Sequence, residues 1–284
     1  LLTRAHDQQA SIRDLDQESA ASVFTDLGVA DQPLVQVTPQ RLIISFLLST
    51  EWLVPAAISI IIVVVTASLG AMPLALGGLI PLLIGMLSLI WRRVIGMFNF
   101  TLAESPRGLR ITRGLTNLTS QSVPINRVQG VKTSQPLLWR MLGWYRIDID
   151  ILGYGHGDSE DGESTASSVL LPVATPEEVE LALGRVLPGF GLDDIELHPA
   201  PNRARWLRWF DFWTLRYGWN DRTLITEQGW FNHERDIVPH AKTQSVNVQQ
   251  GPLQRLLRLA DVHVHTPRGP VNAVAHQLDE HAAR

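Results

Sequence analysis

Cysteine is absent from the 284 residues, which excludes disulfides, thiolate catalysis and cysteine-ligated zinc. Charge of one sign is scarce as well: 24 basic side chains stand against 28 acidic ones, a net charge of −4. Nucleic acid is therefore not an expected partner, because phosphate neutralisation needs a concentrated basic face. Also missing are a phosphate-binding glycine loop, an HExxH helix, a nucleophile elbow and a persuasive Ser/His/Asp set, so no catalytic residue, metal ligand or cofactor is assigned and a non-enzyme is expected. The chain opens on Leu1, with no basic segment, apolar stretch and small-residue cleavage site behind it. It reads as a fragment of a longer protein.

Charge is also missing locally. Between residues 42 and 97 only Glu51, Arg92 and Arg93 are charged. The runs "WLVPAAISIIIVVVTASL" (52–69) and "LALGGLIPLLIGMLSLIW" (74–91) each approach the roughly 20 apolar residues that cross a bilayer core. Neither carries the polar stripe of a helix packed in a water-soluble core, so hydropathy predicts a two-helix transmembrane hairpin over 41–97. Pro55, Pro81 and the glycines read as kinks. Arg41 before the first run and Arg92 and Arg93 after the second place both ends on the cytoplasmic side, with Trp52 and Trp91 as interfacial anchors. Residues 42–48 either extend the first helix or lie along the interface.

Downstream, the chain repeats itself. "VPINRVQGVKTSQPLLWRML" (123–142) returns as "VPHAKTQSVNVQQGPLQRLL" (238–257), and at a constant offset of 115 residues 109–151 face 224–266 without a gap. The shared residues include Pro124/Pro239, Gln129/Gln244, Val131/Val246, Leu138/Leu253 and Arg140/Arg255. Eleven identities in 43 positions exceed the roughly three expected by chance, and two copies of one domain follow.

Within each copy Ile147, Ile149 and Ile151 alternate with Arg146, Asp148 and Asp150, as Val262 and Val264 alternate with Asp261, His263 and His265. Period two predicts half-buried antiparallel strands with the polar set in water. Gly114 and Gly229 fall where strands should turn. Leu138, Met141 and Leu142 have the spacing of a helical turn packing inward, as do Leu253, Leu256 and Leu257. Gly143 is a fitting cap for the first turn, whereas Arg258 stands at the equivalent place in the second. Thr175 as N-cap, Pro176 at the first helical position and Gly189 beyond the end predict a closing helix for the first copy; "AVAHQLDEHAA" (273–283) reads as its counterpart.

The pattern "VPINRVQGVKTSQPLLWRMLGW" (123–144), repeated beside an apolar hairpin, resembles the bacterial pleckstrin-homology-like (PH-like) domain of membrane proteins of the YdbS and YdbT type. The resemblance covers about 98–188 and 205–284. It implies an α+β fold, in which the transmembrane hairpin accompanies two small PH-like β-barrels each closed by a C-terminal helix, set in the bacterial inner membrane with the barrels cytoplasmic. The expected division is an N-terminal segment (1–40), the hairpin (41–97), a first PH-like domain (98–190) and a second (203–284). "SIRDLDQESAASVFTDLG" (11–28) reads either as the closing helix of a missing upstream copy or as a tail. In the second copy His240 and Ala241 break the apolar–polar rhythm of the family pattern, which puts its barrel geometry in question.

Three further segments are candidates for chemistry. His263 and His265 share one strand face and could hold a metal, but two ligands without a third fit a solvated face better. The loop "GHGDSEDGES" (155–164) is acidic without the register of a calcium loop. "RARWLRWFDFWTLRYGW" (203–219) mixes indole and guanidinium groups; Trp206, Arg208, Trp209 and Trp213 suit a bilayer headgroup layer, or else the segment forms core between modules. Taken together, the residues predict a membrane-anchored binding or scaffold protein recognising a protein partner, a peptide or lipid headgroups, with the bilayer and a protein partner or second copy as associates. The alternatives are an accessory subunit of a transport complex and a metal-dependent membrane hydrolase.

Overall fold

A computed structural model describes residues 32–70, 84–85, 88, 91, 94–106, 108–115, 118–152, 168–191, 195–267 and 269–283. The first half comprises β1 (Gln32–Gln36), helices α1 (Pro39–Leu47) and α2 (Thr50–Ser68), strands β2 (Thr101–Ser105), β3 (Gly108–Arg113), β4 (Thr119–Val123) and β5 (Val128–Pro136), the helical turn α3 (Leu137–Leu142), β6 (Tyr145–Ile151), β7 (Val169–Ala174) and α4 (Pro176–Val186). The second half runs β8 (His198–Pro199), β9 (Arg216–Trp219), β10 (Thr223–Gln228), β11 (Asn232–Pro239), β12 (Ser245–Gln249), α5 (Pro252–Leu257), β13 (Leu259–His265) and β14 (Ala273–Asp279). At the 115-residue offset β2 to β6 fall opposite β9 to β13, and α3 opposite α5; β7 and β14 follow next in each half but lie closer in sequence than that offset.

The strands form three antiparallel sheets, ordered β1-β2-β3-β4, β7-β6-β5-β11-β10-β9-β8 and β12-β13-β14. The middle sheet joins the halves, since β5 pairs with β11 from Asn232↔Pro136 to Ile237↔Val131. These are open sheets, so the expectation of two separate closed barrels is corrected. The largest core cluster crosses the same junction: Val128, Val131, Ile147 and Ile149 from the first half pack with Ile225 and Ile237 from the second. Alternation along β3 and β6 puts Leu109, Ile111, Ile147 and Ile149 on the buried side, as their period requires.

The membrane hairpin is also corrected. Among the described residues no helix is long and apolar enough to cross a membrane, which removes the expected multi-pass placement in the inner membrane. The first apolar run does fold as α2, but Thr50 and Glu51 precede its apolar stretch and Thr66 and Ser68 close it. The whole of α2, 19 residues, is about 28 Å long, and with polar residues at both its ends its apolar part is shorter than the roughly 30 Å hydrocarbon core. Most of the second run, with Arg92, Arg93 and the side chain of Trp52, lies outside the described residues, as do segments 11–28 and 155–164.

Residues 42–48 belong largely to the separate helix α1, which buries Leu42 and Ser45. Arg41, read from sequence as a topology signal, donates to the Glu178 carboxylate (2.7 Å) and to the Val173 carbonyl (3.2 Å). Glu178 also completes a capping box: its side chain accepts from the Thr175 N–H at 2.7 Å while its own N–H donates to Thr175 Oγ1 at 3.4 Å. Pro176 starts α4, and Val179, Ala182, Leu183 and Val186 form its buried stripe. Thr175→Ala should cost about 1 kcal/mol of unfolding free energy, read by chemical denaturation; an unchanged midpoint would show that Arg41 alone holds this helix end.

Residues 273–283 begin not as a closing helix but as β14, because Ala273, Val274 and Ala275 pair with Val264, His263 and Val262. The second copy nonetheless keeps the first one's local geometry where the residues differ. Arg258 adopts the left-handed conformation (φ 52°) that Gly143 adopts after α3 (φ 65°), and His240–Lys242 make the same 3-10 turn as Ile125–Arg127. The inward packing expected of α3 is wrong: Trp139 is the buried residue, while Met141 is 84 % exposed. On α5, Leu253 and Leu256 are exposed too.

Candidate functional site

Side-chain alternation gives the junction of β6, β5 and β11 two unlike faces. One carries Ile147, Ile149, Val131 and Ile237. The other carries Arg146, Asp148 and Asp150 on β6, Lys132 and Ser134 on β5, and Asn232, Glu234 and Asp236 on β11, since Lys132 lies opposite both Asp148 and Asp236. The sequence places Asp148 and Asp150 in water, yet both are buried. The segment between β13 and β14 covers them: the Val271 N–H donates to Asp150 Oδ1 at 3.3 Å, and Gly269 approaches the Asp150 carboxylate so closely that a Cβ there would collide with it.

Four carboxylates and two cations thus share one partly dry surface. Lys132 Nζ stands 2.6 Å from Glu234 and Arg146 Nε 2.9 Å from Asp148, and among the described residues Asp150 and Asp236 have no direct ion pair. Burial, reinforced by its neighbours Asp236 and Asp148, pushes the Asp150 carboxyl up to about 7. Asp236 is raised to about 6, chiefly by burial and then by Glu234, with Lys132 opposing. One oxygen on each of these two groups has no hydrogen-bond partner.

Beside this surface opens a cleft of about 320 Å³ between α1 and the sheet, walled by Phe46, Trp139, Lys132, Asp148 and Glu234 among others. The Trp139 indole donates to the Ser45 carbonyl at 3.0 Å and ties α1 to the wall. Ser49 Oγ and Asn232 Oδ1, both on the lining, have no partner within the described structure. They leave hydrogen-bonding capacity for a neutral polar group. Among the described residues no three His, Cys, Asp or Glu side chains stand together as metal ligands.

One residue beyond the cleft wall the surface turns apolar. After Gly229, whose φ of 91° makes the β10–β11 turn, come Trp230 and Phe231, with ring centroids 4.5 Å apart. Trp230 meets Trp213 at 6.4 Å, and Trp213 meets Phe212 at 5.6 Å. Trp209 and Phe210 form a further pair on the same segment, and Trp209, Phe210, Trp213, Trp230 and Phe231 are all exposed. The backbone behind them is fixed: the Leu137 N–H donates to the Phe231 carbonyl (2.8 Å), and Arg140 Nη2 donates to the Trp230 carbonyl (2.6 Å).

The aromatic segment singled out in the sequence thus forms two 3-10 turns and part of an exposed surface, with Trp206 under the Arg205 guanidinium at 5.7 Å. Arg208 donates to Asp211 through Nε at 3.0 Å, and Trp91 is exposed. Of the repeat residues, Pro124 and Pro239 precede equivalent turns, while Gln129 and Val131 are buried and Gln244, Val246, Leu253 and Arg255 are exposed. Arg140, together with the helical turn that carries Leu138, adjoins the aromatic group. His263 and His265 stack at 6.2 Å without a third ligand, and burial lowers the pKa of His263 first of all. Trp230 and Phe231 escaped the sequence reading, although two adjacent aromatics after a turn glycine are a detectable signal.

No curated protein and no solved structure matches the chain. The sequence profile described as "Bacterial PH domain" matches residues 43–187 and 201–283, most of the chain and both halves of the repeat. The protein belongs to the bacterial PH domain family.

Proposed function

We propose that this chain is a non-catalytic scaffold protein whose exposed aromatic surface, at the junction of its two PH-like halves, recognises a protein partner. Domains of this family serve generally in binding and scaffolding. The observation that carries the finer reading is the connected ring group Phe212–Trp213–Trp230–Phe231 on hydrogen-bonded backbone. Contiguous apolar surface on a folded chain marks an interaction site, and tryptophan supplies a disproportionate share of the energy at protein–protein contacts. Lipid headgroup or phosphoinositide binding is less well supported, because Arg208 and Arg203 are engaged with Asp211 and Asp279.

The test is a photo-crosslinking residue at position 209 of the full chain in its native cells. Discrete polypeptide adducts are expected, reduced at least about tenfold by Trp230→Ala with Phe231→Ala, the scale of a lost hot spot. These side chains are exposed, so the fold should persist, as a thermal melt will check. Adducts confined to lipid, or polypeptide adducts indifferent to the double substitution, would sink the reading.

A further inference from the structure

From β2 and β9 through β6 and β13 the two halves match element by element, yet their sheet edges are in different states. β5 pairs with β6 on one side and β11 on the other, and Val131 on it is fully buried. Its counterpart β12 pairs, among the described residues, only with β13, all five of its residues are exposed, and Val246, in the place of Val131, is 58 % exposed. The other partner shows the same asymmetry. β11 is flanked by β10 and β5, whereas its counterpart β4 ends its sheet with β3 alone beside it among the described residues.

The chain therefore holds one completed β5–β11 junction and the two unjoined sides of another. Neither strand carries a guard in its own sequence. Folded proteins blunt sheet edges with charges, prolines or bulges, but "TSQSV" (β4) and "SVNVQ" (β12) contain no charge and no proline. β11, already paired on both sides, carries Glu234, Arg235 and Asp236.

We propose that β12 of one copy pairs antiparallel with β4 of a second copy of this chain, repeating between molecules the junction that β5 and β11 make within one. The register transposes from the internal pairs: Glu234↔Ser134 and Arg235↔Thr133 become Thr119↔Gln249 and Ser120↔Val248. Main-chain hydrogen bonds hold the contact, as in strand addition generally, and Val246 and Val248 lose their exposure to water. Because each molecule offers β12 to one neighbour and β4 to another, the contact is heterologous. It propagates head to tail until a ring closes or a filament forms.

Lysine on an edge blocks such pairing, so Ser120→Lys closes the β4 side and Val248→Lys the β12 side of the full-length chain. Both positions are exposed, and a thermal melt of each variant verifies the fold. In analytical ultracentrifugation the unsubstituted protein should form concentration-dependent assemblies, each variant alone should be monomeric, and an equimolar mixture should give a dimer and nothing larger, since only one productive edge pair remains. The absence of cysteine allows a register check: Ser120→Cys on one molecule should form a disulfide with Val248→Cys on another, and not with Ser245→Cys. A monomeric unsubstituted chain would overturn the proposal. So would assemblies untouched by either lysine, or Ser120→Cys linking only to itself.

Discussion

Ile237→Ala is expected to destabilise the whole protein by about 2–5 kcal/mol, the range for truncating a fully buried isoleucine in a packed core. Ile237 is wholly buried on β11, opposite Val131 on one side and Ile225 on the other, and it shares a cluster with Ile147 and Ile149 of the first half. A globular domain is stable by only about 5–15 kcal/mol, so the loss takes a large part of the total. Because a continuous sheet and core join the halves, the loss should appear as one cooperative transition with a lowered midpoint and an unchanged denaturant slope. Val246→Ala is the contrasting case: the position corresponds to Val131 but is exposed, and the change should stay within about 0.5 kcal/mol. Two separate transitions, only one of them shifted by Ile237→Ala, would show that the junction is not a structural bond between the halves.

Much of the local structure was legible in the chain. The constant 115-residue offset located the repeat, period two located β6 and β13, and Thr175 with Pro176 marked the start of α4. These signals survive because each is decided within a few residues by backbone geometry and alternation. The pairing of β5 with β11 was not legible, since a strand's periodicity says which face is apolar and nothing about which strand lies beside it. Contacts made by distant parts of the chain account for several errors. Asp148 and Asp150 read as solvent-facing because the covering segment comes from a distant stretch of the second half. Met141 read as inward because a bare i, i+3, i+4 pattern cannot show that Trp139 on the same turn takes the buried place. The tail 273–283 read as a helix because alanine and leucine favour one, but pairing with β13 outweighed that weak preference. The hairpin had the opposite cause: hydropathy counts apolar residues, and the apolar length of α2 falls short of a crossing. For the candidate site, the Trp213 segment was visible as composition, while Trp230 and Phe231 mattered only once α3 and the β10–β11 turn stood together.

The buried carboxyls at the junction predict an unusual dependence of stability on pH. In the folded protein the carboxyls of Asp150 and Asp236 are raised from 3.8 to about 7 and about 6. The folded state therefore holds protons that the unfolded chain releases, so their contribution is fully present below about pH 4 and is lost as pH rises through about 4 to 7. At 1.36 kcal/mol per pH unit, leaving Asp150 ionised at pH 8 costs folding on the order of 4 kcal/mol. Asp236 and Asp148 oppose its ionisation, and the Val271 N–H and Lys132 favour it. Asp150→Asn keeps the acceptor oxygen for Val271 and removes the charge. The variant should then be more stable than the unsubstituted protein by about 2–4 kcal/mol at pH 8 and nearly equal to it at pH 4, measured by denaturation across that span. Other carboxylates respond to acid in both proteins, so the difference between the two curves is the informative quantity, and it should open between pH 4 and 7. Lys132→Met should move the opposite way at pH 8, because it takes away a cation that favours the ionised form of both Asp150 and Asp236. Parallel curves for Asp150→Asn would mean that the Asp150 carboxylate stays solvated and that the segment around Gly269 does not close over it in solution.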